Sequence, residues 1–166
     1  PEGIVSNAVK EFVKDPDENN IFHDNIKVPS LVTKAKFSFG GFCRTLNDDC
    51  NITKEKVMRK TEINNTQSEK PIKNPFYSQS YTTMTSNIFK GFYSFFINLN
   101  SRLKEHKLNK LYNDAVIAIF SQLAMEYFKF HKSKTVRESE EINFFDCMAS
   151  LINKMDSEDI KNIKKQ

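Results

Sequence analysis

Residues 88–103 read Ile-Phe-Lys-Gly-Phe-Tyr-Ser-Phe-Phe-Ile-Asn-Leu-Asn-Ser-Arg-Leu, and this stretch decides the fold class. Ile88, Phe89, Phe92, Tyr93, Phe95, Phe96, Leu99 and Leu103 recur at three- and four-residue steps, which is the period of a helix and not of a strand. The apolar arc is too wide for a surface helix, so the spacing predicts a largely buried one. Thr85 or Ser86 is placed to cap its start.

Working outward from it, Lys104-Glu105-His106-Lys107 reads as a polar turn into a second helix from Leu108 to about Phe130. Its run Ala115-Val116-Ile117-Ala118-Ile119-Phe120 is apolar all round, as for a central helix. A third helix is expected from about Val136 to Met155, on Ile142, Phe145, Met148, Leu151, Ile152 and Met155, and Ser157 can cap a short last one. Towards the amino terminus, Ile4, Val5, Val9, Phe12 and Val13 form one face of a helix that ends at Asp15-Pro16-Asp17, because a residue before proline is pushed out of the helical region.

Residues 30–46 admit two readings. Leu31, Ala35, Phe39, Phe42 and Leu46 fit a helix capped by Ser30, whereas the alternation of Ala35, Phe37 and Phe39 fits a short strand ending at Gly40-Gly41. The helix is preferred. Between residues 64 and 80 only Ile72, Phe76 and Tyr77 are apolar, and the stretch reads as a long polar loop, a feature that is usually functional or mobile. Four Gly and five Pro in 166 residues are too few for many short strands. The expectation is therefore an all-α, single-domain bundle of about five to six helices over residues 1–166. Residues 1–63 would hold the amino-terminal helices and a cysteine turn, 64–80 the loop, and 81–166 the core helices.

Composition narrows function. The net charge is +4, and the basic residues are 21 Lys against 4 Arg. Nucleic-acid readers rely on the Arg fork, so this balance argues against that role. Acidic residues also follow the basic cluster of Lys129, Lys132, Lys134 and Arg137, and a second cluster, Lys161, Lys164 and Lys165, sits where cations complement a helix end. The 17 Asn, with the Lys bias, read as the imprint of an AT-rich genome. No run approaches the roughly 20 apolar residues of a membrane span. The chain begins at Pro1 and not Met, which fits removal of a leader or excision from a longer protein.

Catalytic and cofactor motifs are missing. With four glycines there is no phosphate-binding loop, and no Gly-x-Ser-x-Gly elbow. His23, His106 and His131 lie far apart and no Cys-x2-Cys pair exists, so no metal site is expected. The carboxylate pairs Asp48-Asp49 and Glu140-Glu141 read as solvated. Cys43, Cys50 and Cys147 admit three states: a local Cys43–Cys50 clamp, a long-range bond from Cys147, or free thiols behaving as small hydrophobes. Asn51-Ile52-Thr53 and Asn64-Asn65-Thr66 are glycosylation sequons.

No catalytic residue, cofactor or metal is therefore assigned. The leading expectation is a non-enzymatic helical binding protein, secreted and directed at a host, acting on another protein whose identity has no sequence signature. Phe76 and Tyr77 are its candidate anchors in the polar loop, the alternative being that they pin that loop back onto the bundle. The alternatives are a segment or assembly subunit of a larger intracellular protein, and a carrier whose Phe-rich helices enclose a lipid or small molecule.

Overall fold

The computed structural model describes residues 2–23, 26–27, 37–105 and 114–131. Their order is α1 (Glu2–Lys14), β1 (Ile26–Lys27), β2 (Phe37–Ser38), α2 (Phe39–Arg44), a π-helical turn (Thr45–Asp49), β3 (Lys56–Ile63), β4 (Thr66–Lys73), α3 (Tyr81–Glu105) and α4 (Asp114–His131). β1 and β2 pair in parallel over two residues each, and β3 and β4 form an antiparallel hairpin. The all-α expectation is thus corrected: four helices share the described chain with a two-stranded antiparallel sheet. The helices expected over residues 136–155 and beyond Ser157 lie outside the described residues.

The buried helix is the spine of the molecule. α3 carries two apolar stripes, each at the helical period. Phe89, Tyr93 and Phe96 face α1 and its surroundings. Phe12 of α1 lies 5.6 Å from the Phe89 ring and 6.2 Å from Tyr93, and Phe22 meets Phe96 edge-on at 5.0 Å. Phe42 of α2 closes this group, 4.9 Å from Phe22. The second stripe, with Phe92 and Phe95, faces α4: Phe128 is 5.8 Å from Phe92 and 6.0 Å from Phe95. Tilted and edge-to-face rings at such distances add to the stabilisation from their burial. Adjacent Phe95 and Phe96, 5.8 Å apart, join the two groups into one core.

α3 begins at Tyr81, earlier than the Thr85 or Ser86 cap predicts. Ser80 starts it, its Oγ accepting the Thr83 N–H at 3.2 Å. Residues 37–46 divide both earlier readings. Phe37–Ser38 is strand, and Ser38 then caps α2 by accepting the Gly41 N–H on its Oγ at 3.0 Å. Gly40 and Gly41 lie within that helix and not at the end of a strand.

The largest departure is the expected loop. Lys56 pairs with Lys73 and Ile63 with Thr66 in an unbroken register, so residues 66–73 are a strand and not loop. The turn is Asn64-Asn65, with φ of 51° and 62°. Two successive left-handed residues make the tight turn whose twist matches a hairpin, and Asn tolerates that region better than most residues. The hairpin escaped the periodicity reading because β4 is exposed on both faces except at Ile72, so no apolar alternation marks it.

Candidate functional site

The hairpin is held at its base. Asn74 is fully buried; its Nδ2 donates to the carbonyls of Ile52 at 2.7 Å and Lys54 at 2.8 Å, and its Oδ1 accepts the Phe76 N–H at 3.0 Å. Asn74 N–H donates to Glu55 O at 3.0 Å, extending the ladder by one step. Phe76 is thereby delivered into the core, 5.3 Å from Phe92 and 5.1 Å from Phe128. Of the two aromatics expected as partner anchors, Phe76 is thus wholly buried and Tyr77 half-buried against the core. Phe76 pins the chain after the hairpin to α3 and α4, and Tyr77 packs against the same core.

The exposed apolar side chains lie elsewhere. Phe130 is 64% exposed, Tyr81 63%, Met58 46% and Leu123 40%; Tyr81 stands at the start of α3, Met58 on β3, and Leu123 and Phe130 two turns apart on α4. Arg59 places its guanidinium 5.1 Å from the centre of the Phe130 ring. A groove of ≈ 390 Å³ separates the elements, lined by Lys60 of β3, Ile119, Leu123, Glu126 and Lys129 of α4, and Asp49 of the π turn. Lys129 and Glu126 pair at 2.8 Å. Successive strand residues point to opposite faces, yet Arg59 and Lys60 both reach α4. The helix therefore borders the edge of β3 and does not lie over one face of the sheet.

The register concentrates positive charge. Between Lys56 and Lys73 stand five basic and two acidic residues. Lys56 lies directly opposite Lys73, and Arg59 opposite Lys70. Like charges facing each other across a sheet are destabilising, and here one such pair falls on each face. Lys60 alone among the basic residues of β3 has an acidic residue opposite, Glu69.

Other candidate features are less developed. A groove of ≈ 550 Å³ between the starts of α1 and α3, with Ile4, Asn7, Glu11, Tyr81, Thr85 and Phe89 in its walls, has one charged side chain. Asp48, Asp49 and Asp114 share a second groove with Arg44 between α2 and α4, where Asp114 accepts the Ser38 N–H at 2.7 Å and so helps to cap α2. Among the described residues no cluster of three or more His, Cys, Asp or Glu could hold a metal ion. His23 Nδ1 donates to Val13 O at 2.8 Å, closing the end of α1, and His131 lies against Tyr127, their rings 4.3 Å apart; His106, Cys147 and Glu140-Glu141 lie outside the described residues.

Cys43 and Cys50 are free thiols, with no bond between them. Burial pushes the Cys43 thiol up to about 11, against the smaller opposing pull of Lys10 and Arg44. Burial, with the Asp49 carboxylate beside it, pushes Cys50 up to about 12. Both stay protonated near neutrality, which suppresses thiolate chemistry.

The sequon residues Asn51 and Asn64 are both exposed, on turns, with φ of 51°. Each has a backbone reason to be Asn: Asn64 opens the hairpin turn, and Asn51 is the left-handed residue that ends the π turn, followed by the Ile52 N–H donating to Leu46 O at 3.1 Å.

The basic hairpin edge, Arg59 and Phe130 had no place among the sequence-derived candidates. A two-residue Asn-Asn step between β-branched residues (Val57, Thr61 and Ile63 before it, Thr66 and Ile72 after) was the available signal. These features define a small mixed α/β domain whose exposed chemistry is a cationic, partly apolar hairpin face. No family model matches the chain, and neither a curated protein nor a solved structure is similar to it. Among the described residues no helix is long and apolar enough to cross a membrane.

Proposed function

We propose that this protein is a non-enzymatic binding protein that acts by contact with another protein, and that the contact is made by the face shared by the β3–β4 hairpin and α4. The observation that carries the reading is the exposure of Phe130 and Leu123, two turns apart on α4, with the Arg59 guanidinium stacked on Phe130 and Lys60 sharing a groove with Leu123. Aromatic and Arg side chains dominate the energetics of protein interfaces, and here an Arg is already stacked on the exposed ring. Phe130 replaced by a photo-crosslinking benzoylphenylalanine in an extract of the source cells is expected to give one discrete protein adduct. That adduct should vanish when Arg59→Glu and Lys60→Glu are added. Adducts with RNA alone, or none, would overturn the reading.

The setting is a separate matter with two versions. Secretion, with action on a host, is favoured by the exposed sequon turns at Asn51 and Asn64. A place in a larger intracellular assembly is favoured by the free thiols of Cys43 and Cys50. Mass spectrometry of source protein alkylated without reduction separates them. A glycan at Asn51 or Asn64 supports the first, and alkylated Cys43 and Cys50 with unmodified asparagines support the second. The lipid-carrier alternative draws no support from the interior between α3 and α4, which Phe76, Phe92, Phe95 and Phe128 fill with rings in mutual contact.

A further inference from the structure

The two faces of the hairpin are charged differently. Strand residues alternate between faces, so the register sorts the hairpin into two sets. Positions 56, 58, 60 and 62 with 67, 69, 71 and 73 form one, and positions 57, 59, 61 and 63 with 66, 68, 70 and 72 form the other. Both acidic residues of the hairpin, Glu62 and Glu69, fall in the first set, where Glu69 stands opposite Lys60. The second set holds Arg59 and Lys70, directly opposite one another, and no acidic residue. Asp49 and Glu126 belong with the Lys60 side, whose groove they line, and Glu126 is already paired with Lys129 at 2.8 Å. Among the described residues neither Arg59 nor Lys70 is paired with a carboxylate.

Resting on the reading of this face as a protein contact, we infer that Arg59 and Lys70 together bind one phosphoryl group, and that the partner protein is recognised through a phosphorylated serine or threonine. Residues directly opposite in a hairpin stand about 5 Å apart at Cβ, so the two cations repel until an anion joins them. Arg59 is also held in place: it is half-buried, with its guanidinium 5.1 Å from the centre of the Phe130 ring. Stacking on a ring occupies the face of a guanidinium and leaves its N–H fork for an oxyanion. A phosphoryl group brings close to two negative charges and three acceptor oxygens, enough for the fork and the Lys70 ammonium at once, where a carboxylate has one charge and two oxygens. One opposed pair fits one phosphate, whereas nucleic acid is held by neutralising several. The exposed Phe130 ring gives an apolar neighbour of the phosphorylated residue a surface to pack on, and the last turn of α4 around it is basic, with Lys129 and His131.

The test uses the full chain and a fluorescent hexapeptide, Gly-Ala-Ser-Leu-Ala-Gly, with its serine phosphorylated, unmodified or replaced by glutamate. By fluorescence anisotropy the phosphopeptide is expected to bind about tenfold more tightly than either control, and to shift the amide resonances of Arg59 and Lys70 more than those of Lys60 and Lys73. Arg59→Lys, which keeps the charge and loses the fork, and Lys70→Gln should each weaken binding about fivefold. Lys73→Gln removes an equal charge from the other face and should leave binding unchanged. Lys70→Gln is an exposed change that relieves the repulsion with Arg59, so it should melt no lower than the unsubstituted protein, which separates lost binding from lost folding. Equal affinity for the three peptides, or an equal loss from Lys73→Gln, would overturn the phosphate site. Orthophosphate binding as tightly as the phosphopeptide would assign the pair to the free ion, and tighter capture of phosphatidylinositol phosphate vesicles or of a single-stranded oligonucleotide would assign it to a membrane or a nucleic acid; each of these overturns recognition of a phosphorylated protein. In an extract of the source cells, phosphatase treatment is expected to abolish the Phe130 crosslink. If the crosslink persists, the contact face stands and only phosphate recognition falls.

Discussion

Two asparagines do the same work in different places. Asn20 donates its Nδ2 to Phe12 O at 2.6 Å and Asp15 O at 2.7 Å, while its Oδ1 accepts the Phe22 N–H at 3.0 Å. Asn74 repeats the arrangement with Ile52, Lys54 and Phe76. In each, an amide satisfies backbone groups on either side of a bend and sends a Phe two residues later into the core. Removing such a side chain leaves several buried groups unsatisfied at about 1–3 kcal/mol each. Asn74→Ala is therefore expected to lower unfolding free energy by at least that much in urea titrations, with Asn20→Ala close behind. Composition alone read the abundant Asn as genomic bias; the buried ones are structural, and nothing local in the sequence separates them from the rest. A second residue-scale case is Tyr93. Burial, then the hydrogen bond it gives to Asp15, raises the phenol well above its usual range. That same bond, followed by the Asp17 N–H, lowers the Asp15 carboxyl. A depressed carboxyl stabilises above its unfolded value, about 4, and loses this as pH falls; a raised phenol stabilises below about 10 and loses this as pH rises. Tyr93→Phe should melt at lower temperature at pH 7. The gap to the unsubstituted protein should narrow below pH ~4 and again above pH ~10.

At the scale of elements, legibility tracked burial. α1, α3 and α4 were readable because each presents apolar residues at the helical period to one shared core. The stretch from Phe37 to Leu46 was read half correctly both ways, since two strand residues and a short helix share it and tertiary pairing with Ile26 and Lys27 decides where one ends. β3 and β4 were missed because a hairpin in water on most sides needs turn chemistry and cross-strand pairing more than apolar alternation. The candidate face was missed with them: Arg59 meets Phe130 only because the hairpin exists. The turn supports a prediction of its own. At Asn65, φ is 62°, where glycine is unstrained and a β-branched residue is not. Asn65→Gly should hold or raise the melting temperature, while Asn65→Val should cost about 1–2 kcal/mol and shift the hairpin amide resonances.

For the whole molecule, a five- or six-helix bundle and the observed arrangement share the same kind of interior, rings on helical stripes, and differ in what that interior supports. The bundle expectation made residues 64–80 a polar loop, with Phe76 and Tyr77 as partner anchors or as pins onto the bundle. In the observed fold Asn74 and Phe76 tie this region to α3 and α4, and the stretch ahead of them pairs with β3 in a hairpin that carries five basic and two acidic residues. Burial was thus legible and display was not, because display depends on which residues the register places opposite one another.

α3 receives rings from before the hairpin on one side and from after it on the other. Phe12, Phe22 and Phe42 precede Asn64; Phe76, Phe89, Tyr93, Phe96 and Phe128 follow it. A single backbone cut between Asn64 and Asn65, at an exposed tip, severs the polymer and almost none of this packing. The two pieces should stay together as a noncovalent pair and elute from a sizing column as one species. Neither should show cooperative melting when expressed alone, and mixing should restore it. If the pieces do pair, the chain can be split without losing its fold, along a seam that already lies at the surface.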